Sequence, residues 1–281
     1  MNGLRAWVDG RLVGPDEPAV RPADHGVTVG DGVFETLKVT DGRPFALTRH
    51  LRRLTRSATG LGLPAPDEDR VREGVAAVLG AGSPLGFARL RLVVTGGVGP
   101  LGSDRGPGPL GYVVLATEVP PPGPTTAVCV VPWTRNERSA VAGLKTTSYA
   151  ENVVALAHAA ARGAGEALLT NTRGELCEGT GSNVFVAIDG EIVAPPLSSG
   201  CLAGITRELL LEWSAAEGTP VVERSLTLDD LRSADEVFIT SSTRDVQPVA
   251  RVDDRSLAAP GPLTTRAADL FRERAAADID P

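Results

Sequence analysis

The chain has 281 residues, 42% apolar and 22% charged, a composition typical of a soluble globular protein with one large domain or two ordinary ones. Its net charge of -7 at pH 7 argues against a general binder of nucleic acid or anionic membranes, and its three cysteines and three histidines lack disulfide-framework or zinc-site spacing. No apolar run approaches the roughly 20 residues of a membrane span, and the N-terminus lacks a signal-peptide core, so we expect a cytoplasmic protein.

The first third of the chain predicts an α+β domain, because strand patterns precede and follow helical ones. Apolar residues recur at helical spacing in two segments, and short strands flank Asp-Gly turns in two others. The predicted elements are hairpins over 7–13 and 33–47, helices over 48–61 and 67–79, and strands over 87–95 and 112–117.

A proline-rich stretch at 119–124 is the clearest boundary in the sequence. Consecutive prolines favour a stiff, extended connector and cannot continue a helix or a central strand. We therefore predict a small domain over 1–118, a linker over 119–125 and a larger domain over 126–281.

The second part again alternates strands and helices. Ser148 and Glu151 have the spacing of a capping box, which predicts a helix reaching about Arg162. A later helix over 206–217 directs Leu209, Leu210 and Trp213 inward. The other predicted elements are strands over 127–131, 166–170, 182–188, 192–193 and 236–240, and a terminal helix over 263–277.

Lys145 is the first candidate for chemistry. It lies in Gly143-Leu144-Lys145-Thr146-Thr147, a short segment without charged neighbours just before a helix. Burial lowers the pKa of a lysine, which a Schiff-base amine needs. The alternative is a lysine whose amine reaches solvent at a strand end.

Glu178 is a second candidate, because it lies between Cys177 and a run of small residues beside a strand that we expect to be buried. A carboxylate there needs a cation or a protonated ring nitrogen as partner. The alternative is a glutamate beside an ordinary glycine turn.

Two further segments could bind an anion. Gly204-Ile205-Thr206-Arg207 opens a helix, where exposed amides favour a phosphate, although a plain threonine N-cap is the alternative. Thr240-Ser241-Ser242-Thr243 places four hydroxyl groups after a buried strand; the alternative is a solvated loop. Arg53 flanks the apolar stripe of its helix and could point into a cleft or into solvent.

The glycine-rich loop over 96–111 carries a GxGxxG match at Gly97–Gly102. Pro100 prevents that match from opening a helix, which argues against a dinucleotide fold. The length and composition of the loop instead predict a mobile active-site loop.

Taken together, these motifs resemble the fold-type IV (class IV) pyridoxal-phosphate aminotransferases. That family includes branched-chain aminotransferases, D-amino-acid aminotransferases and 4-amino-4-deoxychorismate lyases. The motifs carrying the resemblance are Asp31-Gly32-Val33-Phe34-Glu35-Thr36, His50-x-x-Arg53-Leu54, Gly143-Leu144-Lys145-Thr146, Glu178-Gly179-x-x-x-Asn183-Val184-Phe185, Gly204-Ile205-Thr206-Arg207 and Thr240-Ser241-Ser242.

The resemblance implies a two-domain fold with a small N-terminal α+β domain and a larger C-terminal α/β-barrel-like domain, usually as a homodimer whose sites are completed by a partner loop. It implies that Lys145 forms the Schiff base with pyridoxal 5'-phosphate and then moves the proton. Glu178 would pair with the pyridine nitrogen and Tyr149 with the phenolic oxygen. The phosphate would be held by Arg53, Ile205, Thr206 and Ser242.

The substrate is less closely defined by the resemblance. Phe34, Thr36, Thr243 and Gly97 correspond to substrate-pocket positions in relatives, and Gly96 stands where D-amino-acid aminotransferases carry an arginine. We expect transfer of an amino group from an amino acid or amine to a 2-oxo acid. The alternative is the lyase reaction that releases pyruvate and 4-aminobenzoate, and a remote alternative is a non-catalytic protein that binds the cofactor.

Overall fold

The computed structural model describes residues 3–281, which divide into two compact units. The first unit runs to Pro121 and also includes Leu144–Ser148 and Ile279–Pro281. The second unit comprises Pro122–Gly143 and Tyr149–Asp278. Among the described residues, no helix is both long and apolar enough to cross a membrane.

The first unit is a sheet against which two of its three described helices, the second and the third, pack. Its described strands pair in the order β2-β1-β6-β5-β3-β4, with every pairing antiparallel. The strands are β1 (Arg5–Val8), β2 (Arg11–Val13), β3 (Gly32–Thr40), β4 (Arg43–Pro44), β5 (Phe87–Thr95) and β6 (Gly111–Glu118), and the helices are α1 (His25–Thr28), α2 (Leu47–Gly60) and α3 (Glu68–Gly80).

The core of this unit follows from the alternation of its strands. Every second residue of β3, β5 and β6 faces the helices, while the residues between them face the other side of the sheet. Helix α3 approaches the sheet closely at Gly74, where a Cβ would lie 2.7 Å from both Trp7 and Val114. The sequence predictions for α2, α3, β5 and β6 are confirmed.

The second hairpin is shorter than predicted. Its second strand, β4, ends at Pro44, and the expected strand to residue 47 is wrong. Ala46 adopts a left-handed conformation with φ of 53° and turns the chain into α2. Its N–H donates to the carbonyl of Ile279 at 2.7 Å, which ties the last residues of the chain to this unit.

The second unit contains a larger mixed sheet whose described strands run in the order β12-β11-β10-β13-β14-β7-β8-β9, with β15 paired to β14. Three pairings are parallel, namely β7 with β8, β7 with β14 and β11 with β12. The strands are β7 (Thr126–Arg135), β8 (Glu166–Asn171), β9 (Leu176–Gly179), β10 (Asn183–Ile188), β11 (Glu191–Ala194), β12 (Val222–Glu223), β13 (Glu236–Ser241), β14 (Asp245–Val252) and β15 (Arg255–Ser256), and the α-helices are α4 (Ala150–Ala160), α5 (Ile205–Ala216), α6 (Leu228–Ser233) and α7 (Pro262–Ala277).

The start of α4 differs from the predicted capping box. Tyr149 is the N-cap residue, and the Ser148 hydroxyl instead donates to the carbonyl of Gly30 at 3.0 Å. The local sequence signal is overridden because Ser148 is held beside residues of the first unit. The predicted domain limits differ from the observed division for the same reason, since Leu144–Ser148 and Ile279–Pro281 bond to residues of that unit.

Candidate active site

The segment that carries Lys145 runs beside β3. The carbonyl of Lys145 accepts from the N–H of Phe34 at 3.0 Å, and its own N–H donates to the Ser57 hydroxyl at 3.2 Å. Thr147 N–H donates to the carbonyl of Gly32 at 2.8 Å. These bonds fix the backbone on both sides of the lysine, so the starting point of its side chain is fixed as well.

The Lys145 amine lies against an aromatic ring. Its Nζ is 4.4 Å from the ring centroid of Phe34, and the guanidinium carbon of Arg91 is 4.1 Å from the same centroid. The negative face of the ring attracts both cations. Arg91 was missed by the sequence reasoning, although strand alternation places it opposite Thr36 on the face that also carries Phe34.

A buried group of three charged or titratable side chains lies behind this strand face. The Glu35 carboxylate is fully buried and accepts from Arg53 through Nε at 2.8 Å and Nη2 at 2.7 Å. His50 Nδ1 lies 2.6 Å from the second oxygen of Glu35. Arg53 is therefore a buried, oriented cation, which excludes the solvated alternative, while Arg52 is exposed.

The charges in this group shift each other's titration. Burial alone would raise the pKa of the Glu35 carboxyl, but Arg53 and His50 hold it well below its usual range. Burial lowers the pKa of His50, the Glu35 carboxylate opposes this shift, and the positive charges of Arg53 and Lys145 reinforce it. The carboxylate is therefore charged across the physiological range and fixes the orientation of Arg53.

In the second unit, Glu178 lies within strand β9 rather than in a glycine turn beside a strand. It is 8% exposed, and its two oxygens accept from Arg135 Nε at 3.1 Å and from the N–H of Leu202 at 2.9 Å. Arg135 Nη2 donates in turn to Asn152 at 3.0 Å, and Asn152 donates to the carbonyl of Thr180. This network holds a buried carboxylate in one orientation.

Helix α5 begins close to Asn183, the first residue of β10. Gly204 is its N-cap residue, so the alternative of a threonine N-cap is wrong. A Cβ at Gly204 would lie 2.0 Å from the Asn183 amide oxygen, which explains why only glycine fits. Ile205 and Thr206 occupy the first helical turn, where backbone N–H groups lack intrahelical acceptors and favour an anion.

The remaining candidates belong to three local environments. Ser242 and Thr243 form the half-buried turn that links β13 to β14, and Tyr149 is half-buried before α4. Gly97 has a φ of 72°, and a Cβ there would lie 2.1 Å from the carbonyl oxygen of Pro109. The first unit thus carries Phe34, Thr36, Arg53, Gly97 and Lys145, and the second carries Tyr149, Glu178, Ile205, Thr206, Ser242 and Thr243.

We predicted that the loop over 96–111 is mobile. In the structure, Arg105 of this loop forms hydrogen bonds with residues outside it. Arg105 donates to both oxygens of Asp31, at 2.8 and 2.7 Å, and to the carbonyls of Leu61 and Gly62, each at 2.8 Å. The bonds from Arg105 lower the pKa of Asp31. His25 Nε2 also lies 2.8 Å from the carbonyl oxygen of Pro100.

These donors and acceptors fit one particular cofactor chemistry. In the first unit, the Lys145 amine suits an aldehyde and the buried Arg53 suits an anion. In the second unit, the buried Glu178 carboxylate suits a protonated ring nitrogen and the first amides of α5 suit a phosphate. Pyridoxal phosphate combines all three groups, so the donor set points to the enzymes that use it. No group of three or more potential metal ligands occurs among residues 3–281.

Comparison with known proteins specifies the family. The chain belongs to the class IV aminotransferases, whose family model matches residues 32–252. It is 34% identical over 277 residues to a putative branched-chain-amino-acid aminotransferase of Methanocaldococcus jannaschii, covering 96% of both chains. It is 32% identical to a bifunctional aminodeoxychorismate lyase / D-amino acid transaminase of Mycobacterium tuberculosis, covering 89% of this chain and 91% of that protein.

Solved structures agree with this assignment. A fold IV-transaminase from Curtobacterium pusillum is 30% identical, with a TM-score of 0.85 and coverage of 98% of this chain and 99% of that one. A PLP-bound hypothetical aminotransferase from Mycobacterium tuberculosis is 29% identical, with a TM-score of 0.83 and coverage of 96% and 97%. The predicted family, fold-type IV class and aminotransferase activity are confirmed.

Proposed function

We propose that this aminotransferase uses Lys145 as the residue that bonds covalently to pyridoxal phosphate, and that it exchanges an amino group between an amino acid or amine and a 2-oxo acid. The observation that supports this most directly is the fixed position of the amine. Its backbone is bonded on both sides, and its Nζ lies 4.4 Å from the Phe34 ring centroid. When bound, the cofactor supplies an electron sink for the substrate.

The roles of the other residues follow from their contacts. Arg53, oriented by Glu35, would bind the phosphate with the amides of Ile205 and Thr206 and the hydroxyl of Ser242. Tyr149 would donate to the phenolic oxygen of the cofactor. Phe34, Thr36, Thr243 and Gly97 are proposed to contact the substrate.

Glu178 would keep the ring nitrogen of the cofactor protonated. Its carboxylate is buried and already accepts from Arg135 and Leu202, so it is oriented before the ring binds. Lys145, once displaced by a substrate amine, would be the base that removes and returns the proton at the substrate carbon.

A panel of amino donors tests the reaction. Purified enzyme loaded with pyridoxal phosphate is mixed with L-leucine, L-glutamate, D-alanine or (R)-1-phenylethylamine, and the cofactor absorption is followed. We expect at least one donor to convert the cofactor to its amine form and release the matching keto compound. Failure of every donor, together with release of 4-aminobenzoate from aminodeoxychorismate, would establish the lyase alternative.

The lyase reaction remains a second candidate because of one comparison. The Mycobacterium tuberculosis relative, 32% identical, carries both activities in its name. Both reactions begin with the same amine and the same ring, so Lys145 and Glu178 would serve either. The panel above separates them, since only the lyase releases 4-aminobenzoate.

We also propose that the chain forms a homodimer. Helix α4 exposes apolar side chains at Val153 (66%), Val154 (53%) and Leu156 (40%), although its opposite side is packed on the sheet. An exposed apolar helix face of this kind is typical of a contact with another chain. Light scattering should give the dimer mass for the native chain and the monomer mass for Val154→Glu.

A further inference from the structure

Glu166 is a buried carboxylate that the proposed reaction leaves without a role. It begins strand β8 and is 2% exposed. Oε1 accepts from the N–H of Thr180 at 3.0 Å and from the hydroxyl of the same threonine. Oε2 accepts from the Ser182 hydroxyl at 3.1 Å and from Arg244 Nη1 at 3.3 Å.

These partners come from two separate segments, each of which carries proposed cofactor or substrate residues. Thr180 and Ser182 follow Glu178 in the turn between β9 and β10. Arg244 follows Ser242 and Thr243 in the turn between β13 and β14. The Glu166 carboxylate therefore accepts hydrogen bonds from both turns.

The turn between β9 and β10 packs closely against this carboxylate. A Cβ at Gly179 would lie 2.2 Å from the Ser182 hydroxyl and 3.1 Å from Cγ of Glu166. A side chain at position 179 would therefore displace the Ser182 hydroxyl and press against Glu166. A shift of Glu166 would move the turn that begins two residues after Glu178.

Burying a carboxylate is costly unless several donors compensate for it. A merely structural glutamate can satisfy this need with donors from a single segment, as Glu236 does. The carboxylate of Glu236 accepts from the N–H groups of Leu263 and Thr264, at 3.0 and 2.7 Å, and stabilises the start of α7. Glu166 differs because its donors lie in two turns, one that follows the strand carrying Glu178 and one that contains Ser242 and Thr243.

We propose that Glu166 is a positioning residue for the cofactor. It sets the spacing between the Glu178 carboxylate, which would bind the ring nitrogen, and the hydroxyls of Ser242 and Thr243. It acts through Thr180, Ser182 and Arg244 and does not itself bind the cofactor. The inference rests on the proposed function, because it assigns these residues to one pyridoxal-phosphate site.

Glu166→Gln is the direct test, with Glu236→Gln as its matched control. The amide of the glutamine variant must present its NH2 either to the Thr180 N–H or to Arg244, so one contact is lost in either orientation. Both variants and the wild type are freed of cofactor and titrated with pyridoxal phosphate. Thermal midpoints of the cofactor-free proteins are measured in parallel.

We expect Glu166→Gln to bind pyridoxal phosphate about tenfold more weakly and to shift the absorption maximum of the bound cofactor, as loss of one charge-assisted hydrogen bond implies. Glu236→Gln should lower the thermal midpoint while retaining wild-type affinity and absorption. Wild-type affinity and an unchanged spectrum in Glu166→Gln would overturn the inference, and so would an equal loss of affinity in both variants.

Arg244→Gln gives a second route if Glu166→Gln does not fold, because Arg244 is partly exposed and its loss leaves the buried glutamate with its hydroxyl and amide donors. We expect weaker cofactor binding and the same direction of spectral shift. Wild-type binding by a folded Arg244→Gln would contradict the link between the turns. If the wild type itself binds no pyridoxal phosphate, the proposed function fails and this inference fails with it.

Discussion

Replacing Glu35 with glutamine should destabilise the first unit in a pH-dependent way. The substitution keeps the shape of the side chain but removes the carboxylate charge that pairs with Arg53, which is 4% exposed. Leaving one partner of a buried ion pair uncompensated costs about 3–5 kcal/mol. The control is Glu68→Gln, which removes an exposed i,i+4 pair with Arg72 worth about 0.5 kcal/mol or less.

The pH dependence follows from the lowered pKa of Glu35. The unfolded chain protonates this group near 4.5, whereas Arg53 and His50 keep it charged in the folded state to much lower pH. Its stabilising effect is therefore complete above pH 4.5 and is lost as the pH falls below that value. The lowered pKa of His50 acts in the same sense, because the unfolded chain takes up a proton below about 6.5 that the folded chain resists.

Urea unfolding of the wild type and both variants, monitored at pH 7 and in steps down to pH 3, measures these differences. We expect the free-energy gap between wild type and Glu35→Gln to be fully present at pH 7 and to narrow as the pH falls below 4.5. A gap that stays constant over this range would refute the assignment of the stabilisation to the Glu35 charge. A loss of unfolding free energy at pH 7 no larger than that caused by Glu68→Gln would refute the expected cost of about 3–5 kcal/mol.

Two other predictions concern charged residues near the site. Arg91→Gln should raise KM for carboxylate substrates about tenfold while affecting kcat less. The guanidinium of Arg91 lies on the same Phe34 ring as the Lys145 amine, where it can attract a substrate carboxylate. Steady-state kinetics checks this prediction, and an unchanged KM would contradict it. Arg105→Met should release the loop over 96–111 from Asp31, giving faster limited proteolysis within that loop. Cleavage at the wild-type rate would show that other contacts hold the loop.

The sequence predicted the elements whose hydrophobic pattern is regular. Strand β5 is a largely apolar segment, and α2 repeats its apolar residues at helical spacing, so both were located correctly. Local patterns failed where a distant segment decides the structure. Ser148 was expected to cap α4, yet its hydroxyl bonds to Gly30, 118 residues away.

The candidate site, too, was predicted only in part, because its residues have partners that are distant in sequence. Lys145 and Glu178 were recognised because of their unusual neighbours and a family resemblance, but their partners were not. Arg135 lies beyond the predicted end of its strand at residue 131 and reaches Glu178 across 43 positions. Nothing in the local pattern around Glu35 and Glu166 distinguishes them from other strand residues, and only the structure shows that each is buried and bonded to distant groups.

Borohydride reduction of the cofactor-loaded enzyme tests the central claim most directly. Reduction makes the bond between an amine and the pyridoxal-phosphate aldehyde permanent, so peptide mass mapping can locate it. We predict a single reduced pyridoxal-phosphate adduct on Lys145 in the native chain and its absence from Lys145→Ala. An adduct on Lys38, or a native chain with unmodified Lys145, would contradict the account.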